Sequence, residues 1–307
     1  MKITGIDRAP AVAAPSDRKA LGLLESGGAS LIFGFSYLFC SVGFRYVSPN
    51  VLLCLRFVLA FLVFCVLALF RVVRISLRGK PVGKLFLIGL LYPVLGFICD
   101  NYGTYYSSSA FAGSIVAITP VVMMVTSVLL LHSRIDRRQV LCAVTAVLGA
   151  LLLSFGDFGS QVSMKGLLLM IGAVLTNALF TVLSKKYAAI FTAAEKTFVQ
   201  LAMAAVFFTA MALPSFFRGE VEVQSLAQPQ LWLSVVYLVV LASIASFFLL
   251  NSSIRYITPT QSAIMSSLVP VTSVTGGVFI LHDSFSLMQL LGVTIIILSV
   301  YGASRSE

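Results

Sequence analysis

Two charged side chains interrupt stretches of sequence that are otherwise almost pure hydrocarbon. Arg56 lies within VLLCLRFVLAF and Asp100 within FICDNYG. A lone guanidinium or carboxylate is costly in hydrocarbon, so each is expected to pair with an opposite charge or to face a water-filled vestibule. At about 1.5 Å per residue, Arg56 lies about 9 to 10 Å and Asp100 about 6 Å from the same edge of the membrane. The sequence therefore predicts that the two side chains form a pair, which is either purely structural or one in which Arg56 also attracts an anionic group of a solute. Asn101, which follows Asp100, is assigned to the same site.

A second group of polar residues forms a stripe along one apolar segment. Asn177, Thr181 and Ser184 are spaced by four and three residues, which puts them on one face of a helix. Asn177 is about 18 Å from the nearer end of its segment, so its amide must face protein or a wet cavity rather than lipid. We favour cavity lining over simple packing between helices. Tyr37, the approximate counterpart of Thr181 in the repeat described below, is placed in the same cavity.

Two prolines lie near the middle of apolar segments that resemble each other, TPVVMMVTSVLLLH and VPVTSVTGGVFILH. Pro120 and Pro270 remove a backbone donor and displace the carbonyl four residues earlier, at Val116 and Ser266. Each proline is therefore a candidate hinge, and each displaced carbonyl is a candidate ligand for a solute. The alternative is a tolerated kink in which a neighbouring Ser or Thr satisfies the carbonyl.

The remaining reactive residue types do not form a catalytic or metal-binding pattern. The five cysteines have neither CxxC nor Cys/His spacing, and the chain has no phosphate-binding GxxxxGK[ST] loop, no GxSxG and no HExxH. Neither an enzyme nor a metal or cofactor is indicated. Glu25 has two interpretations, a favourable interaction with the start of its helix or a gate near the cytoplasm.

The elements that must position these residues are membrane-spanning helices. Of the 307 residues, 59% are hydrophobic and 10% are charged, and the mean hydropathy is +1.02. Runs of this length in lipid are helical because every backbone group must be satisfied within the segment. The prediction is an all-α membrane protein with ten transmembrane helices, near 20–43, 50–70, 85–104, 109–131, 138–155, 165–186, 194–214, 230–252, 259–281 and 286–304.

The basic residues predict how these helices are oriented. Seventeen of them fall in the tail at residues 1–19 or at alternate connections, against three at the intervening connections. This asymmetry places both termini in the cytoplasm of a cell with the chain in its inner membrane, and it explains a net charge of +10 without a nucleic-acid partner.

A repeat divides the chain into two units, residues 20–155 and 165–304. At an offset of 150 residues Asn101 matches Asn251, and the same offset holds for four further pairs: Tyr106 and Tyr256, Pro120 and Pro270, His132 and His282, and Gln139 and Gln289. Because each unit has five helices, an odd number, the second is inverted relative to the first. Exchange of conformations between the units would give alternating access.

These features resemble the drug/metabolite transporter superfamily, in particular its ten-helix EamA-type members. The resemblance covers residues 20–304 and rests on the inverted repeat, FGFSYLF at 33–39, LRF at 55–57 and the two central prolines. The chain departs from the family where Phe33-Gly34 replaces a frequent Trp-Gly pair, and LRF is matched only loosely by VQL at 199–201. The resemblance implies a secondary transporter, often an exporter, of small polar or amphipathic metabolites.

The implied partners are a small-molecule metabolite and the lipid bilayer, and both a monomer and a homodimer are compatible with the sequence. The rival hypothesis is a sensor or interaction protein that uses the same bundle without moving a solute.

The topology can be tested with single cysteines in a background without the five natural ones. Cysteines at Ser160 and Gln224 should react with an impermeant thiol reagent added outside intact cells, whereas cysteines at Gly79 and Ser133 should be protected. Labelling at Gly79 together with protection at Ser160 would contradict the inverted-repeat topology.

Overall fold

The structure is a computed structural model, and it describes residues 16–107, 112, 115–116, 118–133, 135–154, 163–219, 223–281 and 287–304. The predicted tail up to residue 15, the predicted start of the fourth helix at 109, and His282 lie outside the described residues. Within these ranges the chain is helical and contains no β-strand.

We number the main helices α1 to α10 in chain order. They are α1 Ser16–Gly43, α2 Pro49–Leu69, α3 Val82–Tyr105, α4 Thr119–Leu131, α5 Arg137–Ser154, α6 Met164–Lys186, α7 Ala193–Phe217, α8 Pro229–Ser253, α9 in two pieces, Pro259–Ser266 and Leu268–Leu281, and α10 Leu287–Ser304. A one-turn helix, Val223–Leu226, precedes α8.

Six of these helices are long and apolar enough to cross a membrane, namely α1, α2, α3, α6, α7 and α8. Thr119–Leu131 and Leu290–Gly302 are shorter apolar helices. The count of ten spans therefore remains a prediction. α1 begins at Ser16, before the start of the predicted span at residue 20. Asp17 in its first turn favours this earlier start by facing the positive end of the helix dipole.

Polar caps fix where two of the helices begin. The hydroxyl of Thr192 accepts from the amide of Glu195 at 3.1 Å, and the Glu195 carboxylate accepts from the amide of Thr192 at 2.9 Å. This confirms the capping box predicted for α7. Thr258 and Gln261 form an equivalent box at the start of α9. Ser48 precedes α2 without making a side-chain cap.

Two helices contain π-helical segments at corresponding points. A π-helical turn covers Leu90–Leu95 in α3, and another covers Tyr237–Ala245 in α8. Adding 150 to the residue numbers of the first segment brings it inside the second. In α3, Tyr92 has non-helical angles, φ −153° and ψ 117°, because it precedes Pro93 and a proline disfavours helical geometry in the residue before it. The π-helical segments therefore follow the same offset as the sequence repeat.

The packing of the helices follows a regular rule. The pairs α2 with α7, α4 with α9 and α5 with α10 are in contact. The pair α1 with α8 is matched by α6 with α3, and α1 with α9 is matched by α6 with α4. Exchanging each helix with the one five places along the chain converts every one of these contacts into itself or into another of them.

Charged side chains tie together the connections at one end of the bundle. Glu195 accepts from Lys80 at 2.6 Å and from the amide of Ser76 at 3.2 Å, which joins the α2–α3 connection to α7. Lys185 donates to the carbonyls of Ile254 and Ile257 after α8. Arg255 donates in turn to the carbonyls of Ala188 and Phe191 after α6, which links the α8–α9 connection to the α6–α7 connection.

The closest helix approach next to the bundle centre depends on a glycine. A methyl group at Gly34 in α1 would lie 2.6 Å from the carbonyl oxygen of Val269 and would overlap the hydroxyl of Thr272, both in α9. Because atoms cannot approach so closely, Gly34→Ala must separate α1 from α9. Overpacking of this kind costs on the order of 1–3 kcal/mol.

We therefore expect Gly34→Ala to lower the melting temperature of the purified protein clearly, as measured in detergent. Gly83→Ala, in the first turn of α3, is the matched control because nothing lies within 4 Å of its new methyl group. That control should melt at the wild-type temperature or slightly above it. Equal melting temperatures for both variants would show that α1 and α9 do not meet at Gly34.

Candidate functional site

A cavity lies between helices of both units, where α1, α3, α4, α6 and α9 converge. It holds about 850 Å³ of free space, including the part that opens to solvent. Its walls combine hydroxyl and amide groups with aromatic rings: Ser30, Ser36, Thr119, Asn177, Thr181, Ser262 and Ser266 are polar, and Phe33, Tyr37, Tyr92 and Phe97 are aromatic. A concave, mostly apolar site with a few convergent polar groups is typical of small-molecule binding.

The carboxylate of Asp100 lines this cavity. Among the described lining residues it is the one charged side chain. Its Oδ1 accepts from the hydroxyl of Tyr37 at 2.8 Å, which joins α3 to α1. Tyr37 is buried, with 8% of its surface exposed, so this hydrogen bond orients the carboxylate from inside the bundle.

Arg56 lies behind the cavity wall rather than in it. Its Nε donates to the hydroxyl of Ser243 at 2.7 Å, and one Nη donates to the carbonyl of Ala242 at 3.3 Å. The guanidinium stands over the ring of Phe97, 4.6 Å from its centre, and near Phe57 at 5.2 Å. Because the ring of Phe97 also forms part of the cavity wall, Arg56 supports that wall from the far side.

Arg56 and Asp100 do not form the predicted direct ion pair, although their charges attract each other at longer range. Within the described ranges one ion pair forms, between Lys80 and Glu195. The two residues do lie at similar depth, but depth along a helix says nothing about which way a side chain faces. Arg56 faces the π-helical segment of α8, whereas Asp100 faces α1.

The other predicted site residues divide into two groups. Tyr37, Asp100, Asn177, Thr181 and Ser266 line the cavity together. The hydroxyl of Thr181 donates to Oδ1 of Asn177 at 3.3 Å, as expected for neighbours on one helix face.

Four more predicted residues, Asn101, Pro120, Ser184 and Pro270, are buried outside the lining. Asn101 bonds the carbonyl of Phe97 at 3.0 Å, and Ser184 is fully buried with its hydroxyl unpartnered. Pro120 leaves no free carbonyl at Val116, because the hydroxyl of Thr119 donates to it at 2.5 Å. α9 is interrupted at Ser267, three residues before Pro270.

Sequence reasoning missed much of the lining. Ser30, Ser36, Phe33, Tyr92 and Phe97 lie on the cavity side of α1 and α3. Their aromatic members are indistinguishable by type from residues that face lipid. For α1, the spacing of Ser30, Phe33 and Tyr37 by three and four residues was a usable signal, because it places them on one helix face.

The described residues contain no group of three or more His, Cys, Asp or Glu side chains that is arranged to hold a metal ion. The groups that the described lining offers are hydroxyls, an amide, aromatic rings and one carboxylate.

Comparison with known proteins assigns this architecture to a family. The sequence matches the EamA-like transporter family over residues 21–155 and again over residues 164–305. The chain belongs to this family. An EamA-like chain is a membrane transport protein, which accords with the apolar spanning helices and excludes an enzyme as its primary role.

Individual relatives agree with that assignment. The uncharacterized transporter YcxC of Bacillus subtilis (strain 168) is 31% identical over 280 residues, covering 90% of this chain and 90% of YcxC. The uncharacterized transporter YetK of the same organism is 27% identical over 269 residues, covering 86% of this chain and 77% of YetK. A solved crystal structure with 19% identity superposes with a TM-score of 0.74, covering 94% of this chain and 97% of the other. At that identity the superposition shows the fold alone.

The observed contacts of Arg56 predict which residue it depends on. Arg56→Leu should lower the melting temperature, because it leaves the Ser243 hydroxyl and the Ala242 carbonyl without their donor, a loss of about 1–3 kcal/mol. In double-mutant cycles on the purified protein, Ser243→Ala should recover part of that loss. Asp100→Asn should recover less, since it removes no direct partner of Arg56. Full recovery of the melting temperature by Asp100→Asn would instead show that Arg56 and Asp100 are direct partners.

Proposed function

We propose that this EamA-like chain is a secondary transporter, an exporter or exchanger, that moves a small polar or amphipathic metabolite by alternating access. The substrate site is the cavity lined by Tyr37, Asp100, Asn177, Thr181 and Ser266. The single observation that carries the proposal is the position of this cavity, between helices of both units and surrounded by polar groups that would be costly inside hydrocarbon without a solute or water to face.

The packing rule supports the mechanism. An inverted pair of five-helix units can exchange conformations only if the contacts of one unit have equivalents in the other. The matched contacts of α1 with α8 and of α6 with α3, and the π-helical segments Leu90–Leu95 and Tyr237–Ala245, support this exchange. In this proposal the two units are residues 20–155 and 165–304.

The charge distribution supports the orientation. With both termini in the cytoplasm and the chain in the inner membrane, the contacts of Lys80, Glu195, Lys185 and Arg255 lie at the cytoplasmic face. The cavity then extends from Ser30 and Ser262 on the cytoplasmic side towards Asp100 on the outer side.

The alternative, a sensor or interaction protein, predicts a bundle that binds without moving a solute. Purified protein in liposomes separates the two hypotheses. Proteoliposomes loaded with a cell metabolite extract should release specific compounds faster than protein-free liposomes loaded with the same extract. Mass spectrometry measures the released compounds. Release equal to that of the protein-free liposomes would favour the sensor or interaction protein.

Asn177→Leu tests the site within this assay. Leucine has nearly the same size as asparagine, but it lacks the amide that lines the cavity and accepts from Thr181. Release should therefore fall to the level of the protein-free liposomes. Expression and elution of the variant should remain those of the wild type.

The control is Leu168→Ala, on the same helix, because Leu168 is 63% exposed at the outer surface of the bundle. This variant should transport like the wild type. Wild-type release by Asn177→Leu would remove α6 from the substrate site.

A further inference from the structure

The described lining of this protein's cavity includes one carboxylate, and the cation that attracts it, Arg56, lies outside that lining. Asp100 is the one charged side chain among its described lining residues, and its Oδ1 accepts a single hydrogen bond, from Tyr37. Arg56, the counter-ion predicted from the sequence, donates its hydrogen bonds to Ser243 and Ala242 and none to Asp100. The one ion pair in the described ranges, Lys80 with Glu195, involves neither residue.

An ionised carboxylate in the interior of a membrane protein is costly unless a cation compensates it. No described lysine, arginine or histidine lines this cavity, so the groups that can contact the carboxylate inside it are water and a cationic solute. An anionic solute would add a second negative charge to the same low-dielectric space, which is unfavourable.

The walls around Asp100 suit an organic cation. Tyr37, Tyr92, Phe33 and Phe97 contribute aromatic rings to the lining, and ring faces attract ammonium groups. The hydroxyls and the Asn177 amide elsewhere in the lining can accept hydrogen bonds from the N–H groups of an amine or bond to its polar substituents.

A second carboxylate lies at the other end of the cavity. The hydroxyl of Ser252 donates to Oε1 of Glu25 at 2.8 Å, while Oε2 of Glu25 is buried without a hydrogen-bond partner. The next residue, Ser26, bonds the hydroxyl of the lining residue Ser262 at 3.0 Å. Glu25 is therefore adjacent in the chain to a residue that contacts the lining, and it adds negative charge near that end of the cavity.

We propose that the substrate is a small organic cation, an amine whose ammonium group binds between the Asp100 carboxylate and the surrounding aromatic rings. That the bound amine is a transported substrate rests on the proposed function. Its binding can be measured without transport.

The test uses three matched sets of probes: 2-phenylethylamine, cyclohexylamine and butylamine, each with the alcohol and the carboxylate of similar shape. The melting temperature of the purified full-length protein is measured in detergent with increasing concentrations of each compound, because a ligand that binds the folded state raises it. At least one amine should bind at least about tenfold more tightly than its alcohol and its carboxylate. Equal binding of the three members of every set, stronger binding of a carboxylate, or no binding by any amine would overturn the proposal.

Asp100→Asn identifies the group that recognises the amine. Asparagine keeps an oxygen that accepts from Tyr37, so the variant retains the contact between α3 and α1 while losing the charge. Amine affinity should fall at least about tenfold. Asp136→Asn, the same change at an exposed position outside the cavity, should leave amine binding at the wild-type value. Unchanged amine binding by Asp100→Asn would overturn the proposal, and the comparison of amine with alcohol and carboxylate on the wild-type protein stands even if that variant does not fold.

The proposed function and this inference fail in different ways. Amine binding without any release of solute from proteoliposomes would contradict transport and leave the cation site intact. Release of neutral or anionic solutes, with no binding of amines, would contradict the cation site and leave transport intact.

Discussion

The arrangement of the bundle depends on how one buried cation is satisfied. Arg56 is 2% exposed, and its charge is accommodated by a hydroxyl, a carbonyl and two ring faces rather than by a carboxylate. Its carbonyl partner belongs to Ala242, inside the π-helical segment of α8. A widened turn leaves backbone carbonyls less fully used within the helix, which suits the acceptance of an outside donor. The π-helical segment of α8 therefore supplies the carbonyl that allows Arg56 of α2 to be buried.

That solution extends to the cavity. The guanidinium lies against Phe97, whose opposite side belongs to the cavity wall, and Phe97 packs edge-on to Phe57 with the ring centres 5.0 Å apart. Because Arg56 makes its contacts behind this wall, Asp100 is left facing the cavity with Tyr37 as its hydrogen-bond donor. Because Asp100 has no direct ion-pair partner among the described residues, its carboxylate is the charged group that faces the cavity.

The sequence was informative about what lies along each helix and less so about what faces across the bundle. Hydropathy and caps predicted the helices well, as the Thr192 box shows, because both depend on residues close together in the chain. The stripe from Asn177 to Thr181 reached the cavity because polar groups at mid-depth have few other places to go. Arg56 was assigned the wrong partner because its orientation depends on the π-helical segment of α8, almost 190 residues away. Phe97 and Tyr92 were missed because their side chains suit lipid and cavity walls equally.

The two units differ at the position where symmetry would matter most. LRF in α2 is matched loosely by VQL in α7, which sets Gln200 against Arg56, and Gln200 accepts from Asn251 at 2.5 Å. Asn101, the counterpart of Asn251, bonds its own helix instead. If the units exchange conformations as proposed, one access state places a cation where the other places a neutral amide. The two states then differ in free energy, and about 1.4 kcal/mol is enough for a tenfold unequal population. Under the proposed exchange, the divergence of the two halves would itself favour one side of the membrane at rest, without any gradient to impose it.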